Sequence, residues 1–141
     1  MTRNINNILV TGGLGFIGSH IVDLLLENGY KVRVLDNLDP QVHGPNRRRP
    51  EYANNDAEII VGEITDRVTL VNALSDMDAV IHQAASVGVG QSMYQIEKYV
   101  LQNTGGTSTL LDIIVNKDLP IKKIIVASSM SIYGEGKYLC E

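Results

Sequence analysis

The chain predicts a doubly wound α/β domain with a parallel sheet of strand order 3-2-1-4-5. Three observations predict it. Short apolar runs alternate along the sequence with stretches of helical periodicity. Runs such as Ile124-Ile125-Val126-Ala127 are apolar at every position, as suits strands covered on both faces. Finally, Thr11-Gly12-Gly13-Leu14-Gly15-Phe16-Ile17-Gly18 places glycines three residues apart directly between the first apolar run and the first helical pattern.

The elements follow in order. Ile8-Leu9-Val10 reads as strand one. Phe16, Ile17, Ile21, Leu24, Leu25 and Leu26 recur at helical spacing, and Asn28-Gly29 ends that helix. Val32, Val34 and Leu35 alternate with Lys31 and Arg33 as strand two, which closes on Asp36. Residues 39–55, rich in Pro, Asn and Arg, form the one long irregular stretch, which is either functional or merely mobile. Glu58-Ile59-Ile60-Val61 is strand three, Val68 to Leu74 a short helix after Asp66, and Asp78-Ala79-Val80-Ile81-His82 strand four. A long helical pattern covers 93–115, and 121–127 is strand five. No internal repeat or low-complexity tract interrupts this series.

Composition narrows the classes of function. With 141 residues the chain is one domain's worth, and 44% hydrophobic with 20% charged residues is ordinary for a globular protein. The net charge of −4 gives no support to nucleic-acid binding, and Arg47-Arg48-Arg49 reads as a solvated loop. The one cysteine, Cys140, rules out an intrachain disulfide framework and fits a reducing cytosol. No apolar run approaches the ~18 residues of a membrane span. The first seven residues carry no signal-peptide core. A cytoplasmic protein without a membrane partner is expected.

The glycine turn points to chemistry. Gly12 permits the tight turn, Gly15 lets the backbone approach a pyrophosphate, and Gly18 lets the helix pack on the sheet; amides and the helix dipole then face the phosphates. Asp36 follows Gly12 by 24 residues, where an acid accepts hydrogen bonds from the adenosine ribose and repels the extra phosphate of NADP. Asn37 stands where an NADP binder often has arginine, so NAD is the expected cofactor. The bland alternative is a glycine-rich turn followed by a solvated Asp. His82, closing an apolar strand, reads as a hydrogen-bonded core histidine.

Segments at the predicted strand ends carry a resemblance as well. With the glycine turn and Asp36-Asn37, these are Gly62-Glu63-Ile64-Thr65-Asp66, His82-Gln83-Ala84-Ala85, Asn103-Thr104-Gly105-Gly106-Thr107 and Ser128-Ser129-Met130-Ser131-Ile132-Tyr133-Gly134. In this order they resemble the extended short-chain dehydrogenase/reductase family of nucleotide-sugar epimerases and dehydratases. Within it, residues 35–44 and 87–94 look most like the dTDP-L-rhamnose 4-epimerase type. The resemblance implies a Rossmann domain in which Phe16 and Ile17 present amides to the pyrophosphate, and Asp36 and Asn37 hold the ribose. It implies that Glu63 and Ile64 flank the adenine, although the family more often has Asp at the first of these. Gln83, Ala84 and Ala85 would line the middle of the cofactor. Asn103 would either reach toward the nicotinamide or make a structural bond within its helix.

By the same resemblance Ser129 is the catalytic hydroxyl, donating a hydrogen bond to the oxygen of the sugar carbon that is oxidised. A dehydratase of the family would carry Asp-Glu after this position. Met130-Ser131 bring no carboxyl to protonate a leaving hydroxyl, so epimerase or simple oxidoreductase chemistry is favoured. The implied reaction is reversible hydride transfer between NAD and a nucleotide-diphosphate sugar through a 4-keto sugar, with a Tyr-x-x-x-Lys pair as base. That pair is expected beyond Glu141. Tyr133-Gly134-Glu135-Gly136-Lys137 has the spacing, but two glycines oppose the helix it needs. The chain therefore reads as the N-terminal, NAD-binding part (1–141) of a longer enzyme, C-terminally incomplete and inactive alone, whose substrate-binding segment lies elsewhere and which is a homodimer at full length. No metal site is expected, Cys140 being a plain thiol. A non-catalytic NAD-binding module remains the second reading.

Overall fold

In a computed structural model that describes residues 4–134, 136–137 and 139–140, the strands are β1 (Asn7–Thr11), β2 (Lys31–Asp36), β3 (Glu58–Val61), β4 (Ala79–His82) and β5 (Lys123–Val126). They pair in parallel in the order β3-β2-β1-β4-β5, as the sequence predicts. Thr11 lies opposite Leu35 on one side and His82 on the other. The carboxyl ends of the three central strands thus finish level, and the loops that leave them share one edge.

Alternation along the strands divides the core between two faces. Leu9, Leu35 and Val80 point into a cluster with Leu70, Leu74, Leu110 and Ile113, beneath α3 (Arg67–Leu74) and α6 (Gly106–Asn116). Val10, Val32 and Val34 point the other way, onto Leu14 and Val22, beneath α1 (Phe16–Glu27). These side chains are almost wholly removed from water, each worth roughly 1.5–3 kcal/mol. Helix α3 starts because Asp66 caps it, accepting from the Val68 amide and the Thr69 hydroxyl. Helix α1 has Gly15 at its N-cap and no side-chain cap.

Residues 39–55 are better ordered than their composition suggests. Asp39 caps the short α2 (Pro40–His43) by accepting from the Gln41 amide. Further on, the Tyr52 hydroxyl donates to the Leu14 carbonyl (2.7 Å), Asn54 donates to Asp23 on α1 (2.8 Å), and Ala53 is buried in the core. The stretch is therefore a cover for the glycine turn.

Two expectations need correction. The long helix expected over 93–115 runs unbroken over 96–116 but is not regular throughout: α5 (Ile96–Tyr99), a π-helical stretch (Val100–Gly105) and α6 follow one another directly, and α4 (Val89–Ser92) turns off before Gln95. Met93, Ile96, Val100 and Leu101 recur at helical spacing yet are all more than half exposed, so the period marks a helix here without marking a buried face. Where α6 begins it packs closely, since a Cβ on Gly106 would meet Ile64 Cγ2 at 2.5 Å. Nor is the last strand covered on both faces: Ile125 is 46% and Val126 52% exposed. Its pairing with β4 and the packing of Ile124 on the α6 side hold it instead.

Gly18 is the tightest point of the packing, since a Cβ there would lie 2.1 Å from the Gly12 carbonyl oxygen and 2.8 Å from Gly13 Cα. Gly18→Ala is expected to lower unfolding free energy by about 1–3 kcal/mol. Gly90→Ala, with nothing within 4 Å, is expected to be neutral or stabilising. Urea melts of both variants check the contrast, and equal midpoints would contradict it.

Candidate cofactor site

A cleft of about 1240 Å³ opens at the carboxyl ends of β1, β2 and β4. Its floor is the glycine turn. Gly12 has φ +70° and its amide donates to the Leu35 carbonyl (2.8 Å), while an added Cβ would strike the backbone of Gln83 and Ala84. At Gly15, by contrast, the one contact a Cβ would make is with the Gly12 carbonyl oxygen at 3.4 Å. That position faces the cleft, so its bareness leaves room for a ligand rather than for protein. The uncapped first turn of α1 points its amides the same way. Phe16 and Ile17 line the cleft, their side chains 80% and 61% exposed.

Asp36 is buried at the end of β2, and each carboxylate oxygen accepts one backbone amide: Oδ2 from Leu14 (3.0 Å) and Oδ1 from Leu38 (2.9 Å). A carboxylate accepts about four hydrogen bonds. With His43 Nε2 also lying 3.5 Å from Oδ1, capacity for a hydroxyl donor remains, chiefly at Oδ2. Beside it the chain turns sharply, with buried Leu38 at φ 52° and the Asp39 amide donating to Asn37 Oδ1. The Asn37 amide donates to Glu63, and the Gln102 amide donates to Glu63 Oε2 (3.0 Å), so two side chains orient the acid. An adjoining cavity of about 330 Å³ lies between Asn37, Leu38, Arg47, Val61, Gly62 and Glu63. Ile64, buried under Gly106, closes the cleft beside it.

On the far side a hydrogen-bonded relay fixes the loop after β4. The Thr107 hydroxyl donates to the Asn103 carbonyl (2.7 Å), so toward His82 it accepts. His82 Nε2–H must then donate to it (3.0 Å), and Nδ1 accepts from the Thr11 hydroxyl (2.7 Å). Thr11 Oγ1 in turn accepts from the Ala84 amide. Asn103 closes the circuit by donating to the Ser86 carbonyl (3.0 Å) and accepting from the Ser86 amide (2.7 Å). Of its two expected roles, the structure shows a structural one, although the bond runs to the neighbouring loop and not within the helix. Gln83, Ala84 and Ala85 line the cleft on the backbone so placed.

Ser129, after β5, also lines the cleft. Tyr133 and Lys137 share no helix, since Gly134 and Gly136 both have positive φ, in agreement with the sequence reading. Thr11 and Thr107, part of motifs but given no role by the sequence, and Gln102 and Tyr52, outside every motif, join the site through these bonds. The i, i+4 spacing of Asn103 and Thr107 was the one available hint; the other three meet their partners only through the fold.

Burial lowers the pKa of His82 from its ordinary 6.5, which keeps the imidazole neutral. The unfolded chain takes up a proton near 6.5, whereas the folded one does so only below its depressed value. Stability is thus complete above the unfolded pKa and declines as pH falls from about 6.5 toward the folded one. Asp78, held low by the Lys122 ammonium and the Asn7 and Asn6 amides, acts in the acid range below 3.8 and does not overlap. The urea midpoint is expected to fall between pH 7.5 and 5.5 in the wild type. In His82→Gln, destabilised at neutral pH by about 1–3 kcal/mol, that slope should disappear; an unchanged slope would contradict the relay.

These features fit a dinucleotide: a glycine cradle open to ligand, uncapped amides at a helix start, and a buried acid with spare acceptor capacity. Comparisons with known proteins agree. Residues 8–139 match the model of the NAD dependent epimerase/dehydratase family. The dTDP-L-rhamnose 4-epimerase of Burkholderia thailandensis is 40% identical over 133 residues, which cover 93% of this chain and 36% of that protein. A UDP-glucose 4-epimerase of Halalkalibacterium halodurans is 42% identical over 130 residues, 91% of this chain and 36% of that protein. Among solved structures, the UDP-glucose 4-epimerase of Brucella ovis in complex with NAD superposes with a TM-score of 0.78 at 38% identity, over 95% of this chain and 39% of that one. The Thermotoga maritima UDP-glucose 4-epimerase with UDP-glucose gives 0.80 at 35% identity, over 94% and 41%. The chain thus spans well under half the length of the relatives it matches, and it belongs to the NAD-dependent epimerase/dehydratase family.

Proposed function

We propose that the cleft binds NAD and that this chain is the cofactor-binding part of a nucleotide-sugar 4-epimerase. The observation that carries the reading is the pairing, across one cleft, of the open cradle at Gly15 with the buried carboxylate of Asp36. Gly12, Gly15 and Gly18 shape the turn, and the Phe16 and Ile17 amides take the diphosphate. Asp36 and Asn37 hold the adenosine ribose. Glu63 and Ile64 flank the adenine beside the smaller cavity. Gln83, Ala84 and Ala85 bound the middle of the cofactor, and Asn103 fixes their loop through Ser86.

A bound NAD would supply the reversible hydride acceptor for oxidation at the sugar carbon. The chain's own part is orientation: Ser129 donates a hydrogen bond to the sugar oxygen at that carbon, and the small residues Ala84 and Ala85 leave space for a flat ring to lie close. The 4-epimerase names of the relatives support the reaction class, and the UDP-glucose named with the Thermotoga maritima enzyme supports a nucleotide-diphosphate sugar as substrate. The same reading makes the full-length protein a cytoplasmic homodimer. Among the described residues no helix is long and apolar enough to cross a membrane.

Calorimetry is expected to show NAD⁺ binding at least tenfold tighter than NADP⁺, because a second phosphate on the ribose would meet the Asp36 charge. Asp36→Asn should narrow that preference. No binding of NAD⁺ would overturn the proposal. Where epimerisation is assayed, Ser129→Ala is expected to lower kcat by about 10²–10³-fold. NAD⁺ binding without conversion or binding of any nucleotide sugar would favour a non-catalytic NAD module.

A further inference from the structure

Negative charge dominates the lining of this cleft, although the ligand it suits is an anion. Asp36, Asp39 and Glu63 all line it, whereas Lys98 is the one Lys or Arg among its described lining residues. Lys98 stands on α5 and donates to Asp39 Oδ2 at the start of α2, at 3.1 Å. The pair therefore links the segment after β2 to the segment after β4, the two segments that border the glycine turn.

The partners depend on each other unequally. Burial works against ionisation of Asp39, yet the Gln41 amide, Lys98 and the nearby Arg47 charge outweigh it and hold its pKa below the ordinary value. Asp39 thus keeps two sources of stabilisation if Lys98 leaves. Lys98 is 39% exposed, on a flexible stem, with three donors on its ammonium and one of them on Asp39. Such a half-exposed pair contributes little to stability and is easily exchanged. A diphosphate offers two charges and several acceptor oxygens in place of one carboxylate.

We propose that Lys98 is a ligand of the cofactor diphosphate, held on Asp39 across the cleft until a dinucleotide enters. This rests on the NAD reading above and adds a cation that the glycine motif does not supply. Lys98 releases Asp39 and donates to a phosphate oxygen, completing from above the cradle that the α1 amides form from below. Asp39 then acts against binding in the empty protein by competing for the same ammonium.

The test compares ADP, which carries the diphosphate, with adenosine, which lacks it, by calorimetry on the whole chain. Lys98→Gln is expected to weaken ADP about tenfold while adenosine changes less than twofold, and to flatten the salt dependence of ADP binding. Lys98→Arg should retain most of the ADP affinity. Asp39→Asn, which keeps an oxygen for the Gln41 amide, should tighten ADP severalfold, and this gain should vanish when Lys98→Gln is added. Equal losses for ADP and adenosine in Lys98→Gln would show a mere strap and overturn the proposal, as would unchanged ADP binding. A wild type that binds neither ligand would overturn the NAD reading itself, whereas the other two failures leave that reading standing.

Discussion

Backbone lying directly on backbone, where Gly18 meets the Gly12 carbonyl, is the constraint on which the rest of the site depends. With a side chain at Gly18, α1 would have to lift off the sheet, and its uncapped first turn would no longer face the cleft. A second close approach adjoins it: Gln83 and Ala84, in the loop after β4, occupy the space that a Cβ on Gly12 would take. These two close approaches set the height of the helix start and the position of the loop after β4.

Around that point the protein spends its polar groups on holding loops still. Asp36 ties the glycine turn to the chain beyond β2 through the Leu14 and Leu38 amides. The His82 relay ties β1 and β4 to the helical segment after them. Tyr52 and Asn54 tie the long connection down onto α1. Among the described residues no buried side-chain nitrogen or oxygen lacks a partner. A site of this kind is largely preformed, so little ordering should be needed when a ligand arrives.

Much of this was legible in the sequence, for definite reasons. Strand order and the glycine turn follow from local patterns: apolar runs that suit a parallel sheet, and an acid at the end of the second strand. His82 was correctly read as a hydrogen-bonded core residue because it closes an apolar strand. What escaped was decided by tertiary contact. The exposed apolar residues of 93–101 imitate a buried helix face, and nothing local reveals that Gly106 must rest on Ile64. Glu63 shows its acid in the sequence, but its orientation depends on Asn37 and Gln102, 26 residues before it and 39 after it. The order of residues 39–55 likewise comes from partners such as Leu14 and Asp23 that lie far back along the chain.

The π-helical stretch at Val100–Gly105 has a consequence for how this site can vary. A π-turn holds one residue more than the α-turn it replaces. Deleting a single residue there would restore a regular helix, but would turn everything before it by about 100° relative to α6. Lys98 would then leave the cleft, whatever residue types were kept. Here the site is encoded by the count of residues as much as by their identity. A change of length in this stretch therefore displaces groups that no choice of residues can bring back.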